Sequence, residues 1–91
     1  MSVTVQAMSR PRLARLVRLE WDPVRESHVL LAPEGVLVLN QTGATILRLC
    51  DGERTVAQVV IALEAAFGTS GIAPDVDRFL ADFKEKGWVT W

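Results

Sequence analysis

Residues 28–39 have the sequence HVLLAPEGVLVL, in which Pro33, Glu34 and Gly35 separate two apolar runs. Proline presets the backbone of a turn and glycine tolerates a positive φ, so we predict a type I turn with a bulge. The flanking strands are predicted at residues 28–32 and 36–39. Both runs are apolar at consecutive positions, whereas a sheet covered on one side alternates apolar and polar residues. The sequence therefore predicts a hairpin whose strands are apolar on both faces.

The segment before this hairpin predicts another strand. Apolar residues alternate with charged ones over residues 13–21, and Asp22-Pro23 favours a turn directly afterwards. The three strands then form an antiparallel meander with residues 36–39 at one edge. Unpaired backbone groups at a sheet edge are a template for a further strand. From the residues alone two hypotheses stay open: a peptide adds to this edge, or the N-terminal arm or a second copy of the chain covers the strand.

After the hairpin the apolar period lengthens from two to about 3.6 residues, which predicts helices. Caps and stop signals divide this region into three helices. The predicted bounds are Asn40 or Thr42 to Asp51-Gly52, Thr55 to Gly68, and Pro74-Asp75 to Gly87. The fold class is therefore α+β and winged helix-turn-helix-like, with a three-stranded antiparallel sheet followed by three helices.

The composition limits the size and the location of the protein. The chain has 91 residues, of which 49% are hydrophobic and 23% charged, and this length predicts one domain at residues 10–91 after a flexible arm at residues 1–9. No apolar run approaches the length of a membrane span, and no signal peptide is evident. A single cysteine fits a reducing compartment. We therefore expect a cytoplasmic protein without a membrane partner.

The inventory of reactive side chains is too small for an enzyme. His28 is the only histidine and Cys50 the only thiol, and Cys50 falls on the apolar side of a predicted helix. One imidazole cannot build a metal site, and no glycine-rich phosphate loop is present. Asp75, Asp77 and Asp82 fit a solvated helix face better than a catalytic carboxylate pair. We expect no catalytic residue, no metal and no cofactor.

A winged-helix DNA-binding regulator is the alternative that this fold class suggests. The net charge is −1, and residues 1–19 hold four arginines and no acid. The third predicted helix, which would enter the major groove, carries three aspartates that phosphates would repel. We therefore expect no nucleic-acid partner, although the arginines could form a minor-groove arm.

Eight short segments, in their order and spacing, resemble the PqqD family, pyrroloquinoline quinone biosynthesis protein D. They are RLEWD at 18–22, LLAPEG at 30–35, LN at 39–40, ILRLCDG at 46–52, RTV at 54–56, DV at 75–76, FL at 79–80 and Gly87. The resemblance covers about residues 10–89. The arm before Ser9 has no recognisable counterpart, and Trp88 and Trp91 stand where smaller aliphatic residues are more usual.

The resemblance implies a peptide chaperone or adaptor in pyrroloquinoline quinone biosynthesis. Such a domain binds the precursor peptide PqqA by strand addition and presents it to PqqE, a radical S-adenosylmethionine enzyme. Related domains hold the leader beside their third strand, in a groove whose other wall is the third helix. Carried over, the candidate peptide-binding residues are Val36, Leu37, Val38 and Leu39 for pairing, Val76, Phe79 and Phe83 for apolar side chains, and Arg78 and Lys84 for acidic ones.

A self-associating domain is the third class of function that the sequence allows. A second copy would then fill the apolar strand, through exchange of the N-terminal arm or of a helix across residues 68–71. The resulting homodimer could coexist with peptide binding or compete with it.

Overall fold

The structure, a computed structural model, describes residues 5–91. Five strands and three helices follow one another along this part of the chain. They are β1 (Arg12–Leu13), β2 (Arg18–Asp22), β3 (Ser27–Ala32), β4 (Gly35–Val38), α1 (Gln41–Leu49), α2 (Val56–Phe67), α3 (Ala73–Glu85) and β5 (Val89–Thr90).

Strands β2, β3 and β4 form the predicted antiparallel meander, in that order. The three helices follow it, so the predicted α+β fold class is confirmed. Ala32 pairs with Gly35 and Leu31 with Val36, which leaves only Pro33 and Glu34 in the turn and no extra residue in the ladder. The predicted bulge is therefore wrong, while the expected positive φ is found at Gly35, at 147°.

The single strand predicted at residues 13–21 is wrong, because the chain turns in the middle of it. The N–H of Val17 donates to the carbonyl of Ala14 at 3.0 Å, and this turn separates β1 from β2. Strand β1 pairs with β5 near the C-terminus in a separate two-stranded sheet. The apolar alternation in the sequence continues through this turn, and Val17 within it is buried. The alternation typical of a strand therefore gave no sign that β1 and β2 are separate strands.

The helix caps follow the predicted signals closely. The side chain of Asn40 accepts a hydrogen bond from the N–H of Gly43 at 2.7 Å, which identifies Asn40 as the cap of α1. Thr55 and Gln58 form the predicted capping box at the start of α2. Gly68 ends α2 in a left-handed conformation with a φ of 61°. Helix α3 ends at Glu85, two residues before the predicted stop at Gly87.

The capping box gives a first testable prediction. Thr55 is buried, and its hydroxyl accepts the N–H of Gln58 at 3.2 Å. We expect Thr55→Ala to lower the free energy of unfolding by about 1 kcal/mol, because that amide loses its acceptor. Urea denaturation measures the change, and Thr69→Ala, at an exposed position after α2, is the matched control. Equal losses in the two variants would contradict the assigned role of Thr55.

The described part of the predicted N-terminal arm lies against the start of α2. The N–H groups of Val56 and Ala57 donate to the carbonyls of Ser9 and Ala7 at 2.8 and 3.0 Å. Amides in the first turn of a helix have no partner within the helix, so the arm supplies acceptors that α2 lacks. The boundary of the arm stays a prediction, because residues 1–4 lie outside the described residues.

One hydrophobic core fills the space between the meander and the helices. Its largest fully buried side chains include Leu30 of β3, Leu47 of α1, Leu63 of α2 and Leu80 of α3. Leu30 on the inner face of the sheet thus shares one core with residues of all three helices, and α1 is the helix that lies against β2 and β3. Within residues 5–91, none of the helices has the length and apolar character that crossing a bilayer requires.

Candidate functional site

Strand β4 has an open edge with free backbone groups. The N–H of Leu39 donates to the carbonyl of His28 at 2.9 Å, one residue past the end of β4. Hydrogen-bonded and non-hydrogen-bonded pairs alternate along antiparallel strands, so Leu37 also bonds toward β3. The N–H and C=O groups of Val36 and Val38 therefore point away from β3. In the part of the chain that the structure describes, no strand pairs with this edge.

The side chains beside this edge form a small apolar surface on the outer face of the sheet. Val36 and Val38 are 56% and 51% exposed. On β3, Val38 has Val29 as its direct partner and Val36 has Leu31. None of these four side chains belongs to the main core cluster, although Val29 is itself buried, at 4% exposure. The run of apolar residues in β4 therefore serves two faces, as the sequence predicts, with Leu37 packed against the core and the valines outside.

Of the three apolar α3 residues predicted for the site, Phe79 keeps an accessible surface. It is half-buried, and its ring stacks on that of Phe83 with the centroids 4.1 Å apart. The ring also lies against α1, where a Cβ atom on Gly43 would stand 3.2 Å from Phe79 Cε2. Val76 and Phe83 are 1% and 6% exposed and close the core. Phe79 is thus the aromatic side chain of this set that a ligand reaches without rearrangement.

A cavity of about 450 Å³ lies between α1, the C-terminal end of α2 and the N-terminal end of α3. It begins at Asn40, two residues beyond Val38, so it lies near one end of the β4 edge. This cavity was not predicted from the sequence. Its only signal was Gly43, since a glycine within a predicted helix marks a close approach of another group. Besides Asn40 and Gly43, the lining includes Ile46, Phe67, Ile72, Val76 and Phe79.

The two basic residues predicted for the site lie in different surroundings. Arg78 is largely exposed and forms an ion pair with Asp75 one turn earlier on α3. Lys84 lies near the C-terminal end of α3, with its Nζ 3.9 Å from the centroid of the Trp91 ring. Its ammonium also donates to the carbonyl of Trp91 at 3.2 Å. Arg78 therefore projects into solvent, and Lys84 is held by the C-terminal residue.

Trp88 connects the hairpin to the end of α3. Its indole N–H donates to the Glu34 carboxylate at 2.6 Å, within the β3–β4 turn. The ring lies edge-on to Phe83, with the centroids 5.2 Å apart. Trp88 also lines a cavity of about 180 Å³ beside Val36 and Leu37. This tryptophan therefore has a structural role, because it holds the turn that begins β4.

His28 and Cys50 both pack against neighbouring side chains of the fold. His28 packs edge-on against Trp21, with the ring centroids 5.1 Å apart. Cys50 is buried, as predicted, and burial together with the nearby Asp51 charge raises the pKa of its thiol to about 12. Within residues 5–91, no three metal-binding side chains are grouped closely enough to hold an ion.

The burial of Cys50 gives a second prediction. Its pKa rises from the ordinary value of 9.0 to about 12. The thiolate fraction at pH 8 then falls roughly a thousandfold, and thiolate is the reactive form. We expect the native protein to react with a disulfide reagent at least a hundredfold more slowly than the urea-unfolded chain. A colorimetric thiol assay in both states measures the ratio, and comparable rates would contradict the buried position.

Comparisons with known proteins agree with this geometry. The family described as Coenzyme PQQ synthesis protein D (PqqD) matches residues 27–89. A PqqA binding protein of Methylococcus capsulatus is 40% identical over 77 residues, which cover 85% of this chain and 83% of that protein. A PqqA binding protein of Azotobacter vinelandii is 44% identical over 80 residues, and the alignment covers 87% of each chain.

Two solved structures share the fold. The solution structure of the PqqD part of Methylobacterium extorquens PqqCD, described as a functional and stand-alone recognition element for ribosomally synthesised and modified peptides, has a TM-score of 0.82 and 34% identity. It covers 97% of this chain, and this chain covers 96% of it. The heterocyclase TruD has a TM-score of 0.65 and 26% identity over 90% of this chain, but only 11% of TruD. Together with the family match, these similarities show that the chain belongs to the PqqD family.

Proposed function

We propose that this domain binds the precursor peptide PqqA as a strand added to β4 and presents it to the radical S-adenosylmethionine enzyme PqqE. The chain belongs to a family of recognition elements and is not an enzyme. The relatives named PqqA binding protein support PqqA as the ligand. The free backbone edge at Val36 and Val38 is the observation that carries the proposal.

The energetics of binding favour this edge. A flexible peptide loses about 1–2 kcal/mol of conformational free energy for each backbone residue that becomes ordered. Hydrogen bonds to the edge offset part of this loss, and burial of apolar side chains supplies the rest. The exposed valines of β4, together with Phe79 and the cavity that begins at Asn40 near the end of this strand, provide such surface. In this proposal Val76 and Phe83 support Phe79, while Arg78 and Lys84 meet acidic side chains.

Presentation requires no chemistry by the domain itself. If the leader occupies β4, the part of the peptide to be modified remains free. Holding enzyme and peptide in one complex raises their effective concentration. A ribosomally made peptide is synthesised in the cytoplasm, so the proposal places this domain there. The winged-helix regulator gains no support, since the exposed carboxylate of Asp75 occupies the first turn of α3, where it would repel a DNA phosphate.

An amide NMR titration with a synthetic PqqA precursor tests the proposal. We expect the largest shifts at residues 35–40 and around Phe79, with slower solvent exchange for the amides of Val36 and Val38. Shifts confined to other parts of the chain would contradict it. Light scattering over a concentration series tests the competing occupant, a second copy of the chain. Dimers that dissociate when the peptide is added would show that both ligands use the same edge.

A further inference from the structure

A second groove lies between β1 and the C-terminal end of α3, with a volume of about 670 Å³. Three basic side chains, Arg12, Arg15 and Lys84, contribute to its lining. Both arginines are exposed, and the rest of the wall comes from small or apolar residues near Gly87 and Val89. This groove shares no lining residue with the cavity beside β4. Lys84 is the one residue of this groove that the proposed function also assigns to the precursor peptide. Arg12 and Arg15 lie outside that set, so they give the groove a basic character of its own.

Within residues 5–91, none of these three charges forms an ion pair. Five of the ten basic residues, all within residues 5–91, lie within 4.0 Å of a carboxylate. Those five are Arg18, Arg25, Arg54, Arg78 and Lys86. Of the five basic residues left, three line this single groove. Because the whole chain has a net charge of −1, this grouping contrasts with the rest of the surface.

Asp51, whose backbone pairs with that of Arg12, has a carboxylate that is already engaged in other contacts. Asp51 forms a β-bridge with Arg12, but its carboxylate accepts the N–H groups of Glu53 and Arg54 at 2.9 Å. The carboxylate also accepts a hydrogen bond from the guanidinium of Arg54, with 2.6 Å between the nitrogen and the oxygen. The hydrogen bonds from Arg54 and Glu53 lower the pKa of Asp51. Asp51 therefore remains charged and occupied, and it does not neutralise the guanidinium of Arg12.

The basic side chains are attached to elements that restrict their movement. The stem of Arg12 lies against Gly52, where an added Cβ would stand 3.4 Å from Arg12 Cβ. Gly52 has a φ of 80°, so a side chain there would be strained as well as crowded. Strand β1 is paired with β5, and Lys84 is held against Trp91. Arg12 therefore reaches the groove from a paired strand, and Lys84 reaches it from a helix position where it packs on Trp91.

We propose that this groove docks an acidic segment of a partner protein, at a surface separate from the β4 edge. Guanidinium groups bind carboxylates with two parallel hydrogen bonds, and two arginines three positions apart suit a segment with neighbouring acidic residues. Nucleic acid fits less well, because affinity for it arises from many phosphate contacts and this groove offers three cations. Separate surfaces allow the domain to hold two ligands at once. This simultaneous binding rests on the proposed function, whereas the docking of an acidic segment in the groove does not.

A titration with hexaglutamate at low salt tests the docking surface. We expect amide shifts at residues 12–15 and 84–90 that disappear as the salt concentration rises. The double variant Arg12→Gln/Arg15→Gln should bind roughly tenfold more weakly. The control Arg48→Gln removes an exposed arginine of α1 that has no carboxylate partner within residues 5–91, and it should bind as the original protein does. Arg12→Lys/Arg15→Lys should recover part of the affinity.

Three results would overturn this inference. The first is a titration in which hexaglutamate causes no shifts at the groove. The second is an Arg48→Gln control that loses as much affinity as the double variant. The third is a single-stranded ten-nucleotide DNA that binds as tightly as hexaglutamate. The PqqA precursor is titrated into the same double variant. Unchanged precursor binding together with lost hexaglutamate binding would separate this surface from the β4 edge, and each proposal can therefore fail alone.

Discussion

Val38→Pro is expected to weaken binding of the PqqA precursor at least tenfold while the meander stays folded. Val38 directs its N–H away from β3, so proline removes a hydrogen bond available to an added strand without breaking the ladder. A net hydrogen bond contributes about 0.5–1.5 kcal/mol, and the proline ring also blocks close approach of a guest carbonyl. Val36→Pro acts on the same edge, and the two changes together should reduce affinity about a hundredfold.

Two further variants make this experiment specific. Val38→Thr keeps both the N–H and the β-branched shape, so we expect near-normal affinity if the backbone carries binding. Leu37→Pro acts differently, because the N–H of Leu37 bonds toward Leu30 on β3. It should therefore destabilise the sheet itself. Calorimetry that finds unchanged affinity for a folded Val38→Pro variant would remove the β4 edge from the mechanism.

The features predicted correctly from the sequence have local signals. The hairpin is visible in two apolar runs around Pro33 and Gly35, and the start of α2 in the spacing of Thr55 and Gln58. Each signal involves residues close together in the chain. Caps and turns depend on nearby backbone groups, so their chemistry is evident before the fold is known.

The features that were missed depend on distant contacts. The break between β1 and β2 follows from pairing of β1 with β5, more than seventy residues later. The stripe on α3 indicates which side is apolar, but only packing decides that Phe83 is buried while Phe79 keeps an accessible edge. The hydrogen bond between Trp88 and Glu34 likewise joins residues that no sequence pattern relates. Long-range packing therefore determined which candidate site residues are accessible.

The largest loss of stability is expected from Leu30→Ala, with Leu31→Ala as its matched control. The two leucines are neighbours in β3 and face opposite sides of the sheet. Leu30 has no exposed surface and lies in the core opposite Leu37, whereas Leu31 is half-buried beside Val36 and outside the core. Truncating a fully buried leucine costs about 3–5 kcal/mol, which approaches the whole stability of a small domain.

Leu31→Ala should cost about 1 kcal/mol, since its side chain is covered only in part. Urea unfolding of both variants measures the difference, and equal m-values would show that the comparison is made between similar unfolded states. Equal losses would mean that the two faces of the sheet have been assigned wrongly. A difference of the expected size would mean that the inner face of β3 keeps the hairpin folded. The outer valines of β4 would then be available to a ligand, because they contribute little to the stability of the core.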